Sequence, residues 1–195
     1  MADDESTTKK KSSPTGTAEK PSGKVGGSSG RRRGKVDPTR MNGALVISDE
    51  AREALESCEL FKELDRHQLM AVAALVEEHA IGPNEILIGE GEPARYLYIV
   101  IEGRGVAHVE LDHGLMSLGL VGPGEAAGWS SLVDGQVYPA TVKALTPMRV
   151  IRIETSGLTL LLNLQPDIGY PVHRSLSSIF YRQYNSALRG LKTSG

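Results

Sequence analysis

The sequence has little of what marks secreted or membrane proteins. Its 195 residues include one cysteine, Cys58, so no disulfide can form within the chain. Apolar runs such as Leu97–Ile101 fall far short of the ~20 residues that a membrane-spanning helix needs. The N-terminal stretch MADDESTTKKK lacks the apolar core of a secretory signal. These absences predict a protein of a reducing compartment, the cytoplasm, without a membrane association.

Large apolar side chains are scarce at the N-terminus. Residues 1–43 contain no aromatic residue and are rich in Ser, Gly, Lys, Thr and Pro. Such a segment cannot bury enough apolar surface to offset the entropy lost on ordering. We therefore predict a disordered basic tail over 1–43 and a folded domain over 44–195.

Charge is unevenly placed along the chain. Residues 1–40 hold ten Lys or Arg and five Asp or Glu, whereas the whole chain has a net charge of -2. The remainder is therefore acidic, which argues against nucleic acid as a partner of the folded domain. The cluster Arg31–Lys35 is either a solubilising feature or a contact for an acidic partner or nucleic acid.

Short strand patterns separated by Gly and Pro turns dominate the rest. They cover 85–88, 97–101, 105–111, 115–121, 137–145 and 149–154. Ser48 and Asp65 are good N-caps for two preceding helices, the second with Val76 on its apolar face. A helix ending at Pro166 and a last helix from about Pro171 follow. The pattern predicts a mainly β fold: a double-sheet jelly-roll barrel with N-terminal helices and a C-terminal helix.

The stretch Gly122–Ala144 reads GPGEAAGWSSLVDGQVYPATVKA. It resembles the phosphate-binding cassette of the cyclic-nucleotide-binding domain family, in its catabolite activator and protein kinase A regulatory subunit type. There, Phe-Gly-Glu-Leu-Ala-Leu leads into a short helix, a Gly-containing loop and Arg-Ala-Ala-Thr-Val-Lys-Ala. Residues 127–132 and 138–144 align with the two halves without a gap. The resemblance runs from about Leu60 to Leu191, with no helix-turn-helix after it, and implies a divergent, stand-alone regulatory module.

Two chemical residues of that cassette are replaced. In the family, the Arg pairs with the cyclic phosphate and the Glu accepts from the ribose 2′-hydroxyl. Tyr138 stands at the Arg position and supplies no charge; Trp129 stands at the Glu position and is a donor only. Pro139 also removes a backbone donor. We expect cAMP and cGMP to bind weakly or not at all.

The resemblance implies eight ligand-binding positions. They are Gly128, Trp129, Ser130, Ser131, Tyr138, Pro139, Ala140 and Thr141. Two interpretations of the altered cassette stay open. In one, the pocket is changed to take another small ligand, flat or uncharged, and the module is a sensor. In the other, Trp129 and Tyr138 pack the barrel interior and the protein is a ligand-independent interaction or dimerisation scaffold.

No pattern of catalytic or metal-binding residues stands out. The histidines are scattered, and His108 and His113 lack the His-x-His spacing of cupin metal sites. We therefore predict no enzyme activity, no metal and no cofactor beyond a cyclic nucleotide or other small ligand.

An apolar stripe marks the last predicted helix. It comprises Val172, Leu176, Ile179, Phe180, Ala187 and Leu188. Because no following domain covers this stripe, we predict a homodimer through the C-terminal helix, besides an unidentified protein partner.

Overall fold

The computed structural model describes residues 40–41, 44–45, 47–112, 114–133 and 137–193. The tail predicted over 1–43 lies outside these ranges apart from Arg40–Met41. That pair forms a two-residue ladder with Ala44–Leu45, across the predicted domain boundary.

The two N-terminal helices begin at the predicted caps. Helix α1 spans Asp49–Ser57 and helix α2 spans Arg66–Ala73. The Ser48 hydroxyl accepts the Ala51 N–H at 3.1 Å. Asp65 closes a capping box with Gln68, which satisfies two of the free N–H groups at the start of α2. The prediction that Val76 belongs to α2 is wrong, because Val76 already pairs with Ile153 in a strand.

Strands make up most of the remaining domain. In chain order they are β1 (Arg40–Met41), β2 (Ala44–Leu45), β3 (Val76–Ile81), β4 (Ile86–Ile88), β5 (Tyr96–Glu102), β6 (Gly105–Leu111), β7 (Gly114–Val121), β8 (Ala126–Ala127), β9 (Thr141–Ala144) and β10 (Met148–Glu154). The predicted strand over 137–145 is shorter than expected; Val137 makes only an isolated bridge to Pro93.

The strands form two four-stranded antiparallel sheets. The first has the order β3-β10-β5-β8, and the second the order β4-β9-β6-β7. Neighbours that are distant in sequence pair across each sheet, as in a jelly roll. The predicted mainly β jelly-roll fold with flanking helices is confirmed.

Strand β5 is buried on both faces. Leu97, Ile99 and Ile101 face the helices, in what we name the helical cluster. Tyr98 and Val100 face the other sheet, in what we name the barrel cluster. The first sheet therefore lies between the two apolar clusters, whereas the second sheet has one face toward the barrel cluster.

The C-terminal helix begins five residues before its predicted start. Helix α3 spans Thr155–Leu164 and helix α4 spans Pro166–Thr193, with Pro171 inside it. Pro166 occupies the first helical position, where a missing N–H costs nothing. Pro171 cannot bond the carbonyl of Asp167, and that oxygen accepts from Nε2 of Gln68 at 3.1 Å instead. A tertiary contact thus replaces the lost helical hydrogen bond.

None of the helices in the described ranges combines the length and the apolarity that crossing a bilayer requires.

Candidate functional site

The cassette turns sharply after β8. Gly128 has a φ of +74° and is followed by a 3₁₀ helix over Trp129–Leu132. A Cβ at position 128 would lie 2.9 Å from the Tyr96 carbonyl oxygen and 3.1 Å from the Tyr138 ring. Glycine is therefore required here both for the left-handed backbone and for the close approach of two neighbouring chain segments.

Tyr138 lies inside the barrel. It is 4% exposed and belongs to the barrel cluster with residues such as Ile88 and Val142. Its hydroxyl donates to the Tyr96 carbonyl at 2.7 Å and accepts from the Tyr96 N–H at 2.9 Å. Burial raises the pKa of the Tyr138 phenol. The ring is thus held in its neutral form, tied at its tip to the first residue of β5.

The backbone of Tyr138 is also bound on its outer side. Its carbonyl accepts from Gly91 N–H at 2.9 Å, and its N–H donates to the Glu92 carbonyl at 2.9 Å. The second half of the cassette is therefore attached to the turn after β4 by two backbone bonds. Together with the hydroxyl contacts, they orient the ring toward the barrel cluster.

Trp129 lies on the opposite side of the cassette. Its ring meets the Phe180 ring of α4 edge to face, with centroids 4.6 Å apart and planes at 85°. It packs against the helical cluster, not the barrel cluster. The interpretation that both aromatic replacements pack the barrel interior therefore describes Tyr138 and not Trp129. The indole instead connects the cassette to α4.

The smaller cassette residues are placed in different surroundings. Ser131 is buried, and its hydroxyl has no hydrogen-bond partner among the described residues. The Thr141 hydroxyl accepts the Glu90 N–H at 3.1 Å. Ser130 and Ala140 are half-buried, and Pro139 is exposed. Of the three Ser and Thr hydroxyls among the predicted positions, that of Thr141 serves the fold, that of Ser131 is buried without a partner, and that of Ser130 is half-buried.

Two residues beside the cassette were not predicted. Tyr96 receives the Tyr138 hydroxyl and lies 4.6 Å from the Arg152 guanidinium, which pairs with Glu77 at 2.6 Å. These groups line a groove of about 290 Å³ between the end of α2 and the start of α3. The sequence does show acidic residues in β3 and arginines in β10. These charges indicate an ion pair only once the two strands are known to be neighbours.

Clustered metal ligands do not occur in the described residues: no three His, Cys, Asp or Glu side chains gather there. His113, one of the two histidines weighed as a metal ligand, lies outside them.

Residues 78–164 match the sequence profile of the family described as "Cyclic nucleotide-binding domain". The crystal structure of the N-terminal domain of a transcriptional regulator from Streptomyces coelicolor A3(2) is 30% identical, with a TM-score of 0.59. The match covers 69% of this chain and 94% of that one. The chain belongs to the cyclic nucleotide-binding domain family. The predicted resemblance is confirmed, and the fold is that of a regulatory, sensor-type module.

Two further relatives show how widely this domain is used. The regulatory domain of Toxoplasma gondii protein kinase A, crystallised with cAMP, is 26% identical with a TM-score of 0.55, over 57% of this chain and 43% of that one. An uncharacterized NTE family protein of Mycobacterium tuberculosis is 32% identical over 128 residues, or 66% of this chain. The chain spans 21% of the length of that curated relative.

Proposed function

We propose that this chain is a regulatory module whose degenerate cassette does not bind cAMP or cGMP with the affinity typical of the family. The observation that carries the proposal is the buried Tyr138 ring, tied by two hydrogen bonds to Tyr96 where the family's cassette places its arginine. A cyclic nucleotide entering the barrel would meet this ring instead of a counter-charge.

Two separate energetic effects oppose the binding of a cyclic nucleotide. A hydrogen bond to a charged group contributes roughly 1.5–3 kcal/mol, so its loss alone weakens binding by about one to two orders of magnitude. Displacing the Tyr138 ring would in addition break both bonds to Tyr96 and expose a ring that is 4% exposed. Charge and space therefore oppose binding together.

The sugar side of the cassette supports the same conclusion. An indole has no acceptor for a ribose hydroxyl. Trp129 is moreover turned away from the barrel cluster and toward Phe180 of α4. The contact that fixes α4 over the cassette is thus made by a side chain of this protein and needs no ligand.

Calorimetry with cAMP and with cGMP tests the proposal. The wild type is expected to give no measurable heat of binding at micromolar nucleotide. The double variant Trp129→Glu with Tyr138→Arg is expected to bind more tightly than either single variant, because both restored contacts act on one ligand. Tyr138→Phe is the matched control, since it keeps the ring and adds no charge. Submicromolar binding by the wild type would show that the proposal is wrong.

A second candidate function, a dimerisation scaffold, is favoured by the outer face of α4. The prediction that the apolar stripe of α4 is uncovered is partly wrong. Val172, Leu176 and Ile179 are buried in the chain's own helical cluster, because α4 packs along α3 and the N-terminal helices. Further along α4, Tyr181 and Tyr184 are 70% and 63% exposed. With Leu188 they follow the three-and-four spacing of a helix-pairing seam. We propose this second face as the homodimer contact.

Light scattering on a matched pair of variants tests the dimer. Tyr184→Glu places a charge in the seam and is expected to halve the molar mass. Gln183→Glu adds the same charge on another face of α4 and is expected to change nothing. Equal masses for both variants and the wild type would refute the contact.

A further inference from the structure

Sheet edges present unpaired backbone N–H and C=O groups, and proteins protect them by keeping them short or charged. Three of the four edges in the described jelly roll follow this rule. Strand β8 has two residues and β4 has three. Strand β3 carries Glu77 and Glu78, which pair with Arg152 and Arg149 of the neighbouring strand.

The fourth edge, β7, is neither short nor charged; its one irregularity is a register shift at Leu118, since Gly119 pairs with Ala107 and Ser117 with His108. Its eight residues, GLMSLGLV, contain no charge and no proline. Four large apolar side chains on it are exposed: Leu115 at 68%, Met116 at 46%, Leu118 at 47% and Leu120 at 60%. On its inner side β7 pairs with β6, and no other strand of the described residues pairs with its outer side. A long, uncharged, apolar edge of this kind marks an interaction surface.

We propose that β7 pairs antiparallel with β7 of a second copy, about a twofold axis near Ser117 and Leu118. Such a contact uses the same patch on both copies, as a twofold dimer requires. It joins the two four-stranded sheets into one and sets the exposed leucines of one copy beside those of the other on the faces of the joined sheet. The surface is separate from the cassette and from the outer face of α4.

The charges at the two ends of β7 favour this occupant. Asp112 lies in the turn before β7, and Arg104 lies beside its far end, next to the pair Gly105 and Val121. Both side chains are exposed and have no ion-pair partner among the described residues. Antiparallel pairing brings Asp112 of each copy level with Arg104 of the other. The two charges are then separated by about two strand spacings, roughly 10 Å. Their attraction therefore acts within about one screening length of physiological salt.

A groove at the same end has room for the incoming turn. It has a volume of about 260 Å³ and is lined by residues that include Arg104, Leu120, Pro123 and Glu125, whose carboxylate accepts the Gly122 N–H at 2.7 Å. In the proposed pairing, the β6–β7 turn of the second copy lies over this groove. Opposite charge and an open groove therefore occur together at the position that the twofold arrangement requires.

The molar mass of the full chain tests the pairing. Leu118→Lys places two lysines near the axis and is expected to halve the mass. Ile86→Lys is the matched control: Ile86 is 61% exposed on β4, the opposite edge of the same sheet, and its variant should keep the wild-type mass. Because the α4 contact is a separate proposal, the comparison is repeated in the Tyr184→Glu background. The mass should again halve with Leu118→Lys, whether or not the α4 contact exists. A mass unchanged by Leu118→Lys overturns the proposal.

Cysteine cross-linking keeps the test independent of folding in the lysine variant. The natural Cys58 is fully buried, so an added exposed cysteine reports its own neighbours. Ser117→Cys is expected to form a disulfide-linked dimer under mild oxidation, and Glu53→Cys on the exposed face of α1 is expected to remain reduced. Equal cross-linking of the two variants, or a wild type that is monomeric at every concentration, overturns the pairing.

Discussion

The helical cluster and the barrel cluster lie on the two faces of one sheet and are built differently. The helical cluster holds aliphatic side chains, Cys58 and the fully buried Phe61, with no phenol. The barrel cluster is smaller and contains two phenols, Tyr98 and Tyr138. Burial raises the pKa of Tyr98 to about 12, so this interior keeps its hydroxyls neutral. The helical cluster is held mainly by apolar packing, whereas the barrel cluster is also held by the two hydrogen bonds of the Tyr138 hydroxyl.

The two altered cassette residues divide between these regions. Trp129 joins the helical cluster through Phe180, and Tyr138 joins the barrel cluster. The rings of Trp129 and Tyr138 therefore lie on opposite sides of the cassette turn at Gly128. The cassette therefore connects the two clusters, with side chains of the protein on both sides.

The largest expected effect is in the two faces of β5. Ile99→Ala removes a fully buried side chain from the helical cluster and should cost about 2–5 kcal/mol of unfolding free energy. Val100→Ala, on the adjacent residue of the barrel face, should cost about 1.5–3 kcal/mol. Denaturant titration measures both. A cost near zero for Val100→Ala would mean that the barrel face of β5 does not pack against a solid core.

The second prediction concerns the hydroxyl of Tyr138. Tyr138→Phe keeps the ring but leaves the Tyr96 N–H and carbonyl without their partner, so it should cost about 1–3 kcal/mol. Tyr181→Phe removes an exposed hydroxyl and should stay within about 0.5 kcal/mol of wild type. Thermal melts of the two variants check this. If both shift equally, the bonds to Tyr96 do not stabilise the cassette.

The third prediction uses Trp129 as the single tryptophan of the chain. Phe180→Ala removes its edge-to-face partner, worth about 0.5–1.5 kcal/mol beyond the lost area. The fluorescence emission of Trp129 should move to longer wavelength, because water reaches the indole. Tyr181→Ala, one residue along α4, should leave the emission unchanged. An unshifted spectrum for Phe180→Ala would argue that α4 does not cover the cassette in solution.

The smallest effect is expected at the outer rim of the helical cluster. Burial works to raise the pKa of Glu59, but hydrogen bonds from Arg182 and Lys62 outweigh it and hold the pKa below its usual range. Since the pKa of Glu59 is depressed in the folded state, its ion pairs stabilise the fold at pH values above the ordinary carboxyl pKa. This contribution is lost as the pH falls below about 4.3. For such exposed pairs it amounts to about 0.2–1 kcal/mol.

Acid titration of the melting temperature measures this contribution. Glu59→Gln should lower stability at neutral pH and converge with wild type in acid. Glu53→Gln is a control on α1, where the carboxylate makes none of the ion pairs described here. Parallel curves for Glu59→Gln and wild type would show that the Arg182 contact is not formed in solution.

Features that depend on neighbours in the chain were predictable from the sequence. The caps at Ser48 and Asp65 and the turn at Gly128 follow from the chemistry of single residues at their positions. The start of α4 was not predictable. Pro171 looked like a first helical residue because its missing N–H has a replacement only in the tertiary structure, where Gln68 reaches Asp167. The side of the turn on which Trp129 and Tyr138 lie was equally a matter of packing.

Strands β5 and β7 show most plainly what each level decides. By itself, the sequence determined that both are strands, since both are mostly apolar and bounded by turn residues. It also determined the family, through the spacing of the cassette. Only the tertiary structure decided that β5 has neighbours on both sides and on both faces, while β7 lies at an edge with its leucines exposed. The reason is that pairing between strands joins segments far apart in the chain, and no local pattern records which strand ends as the edge.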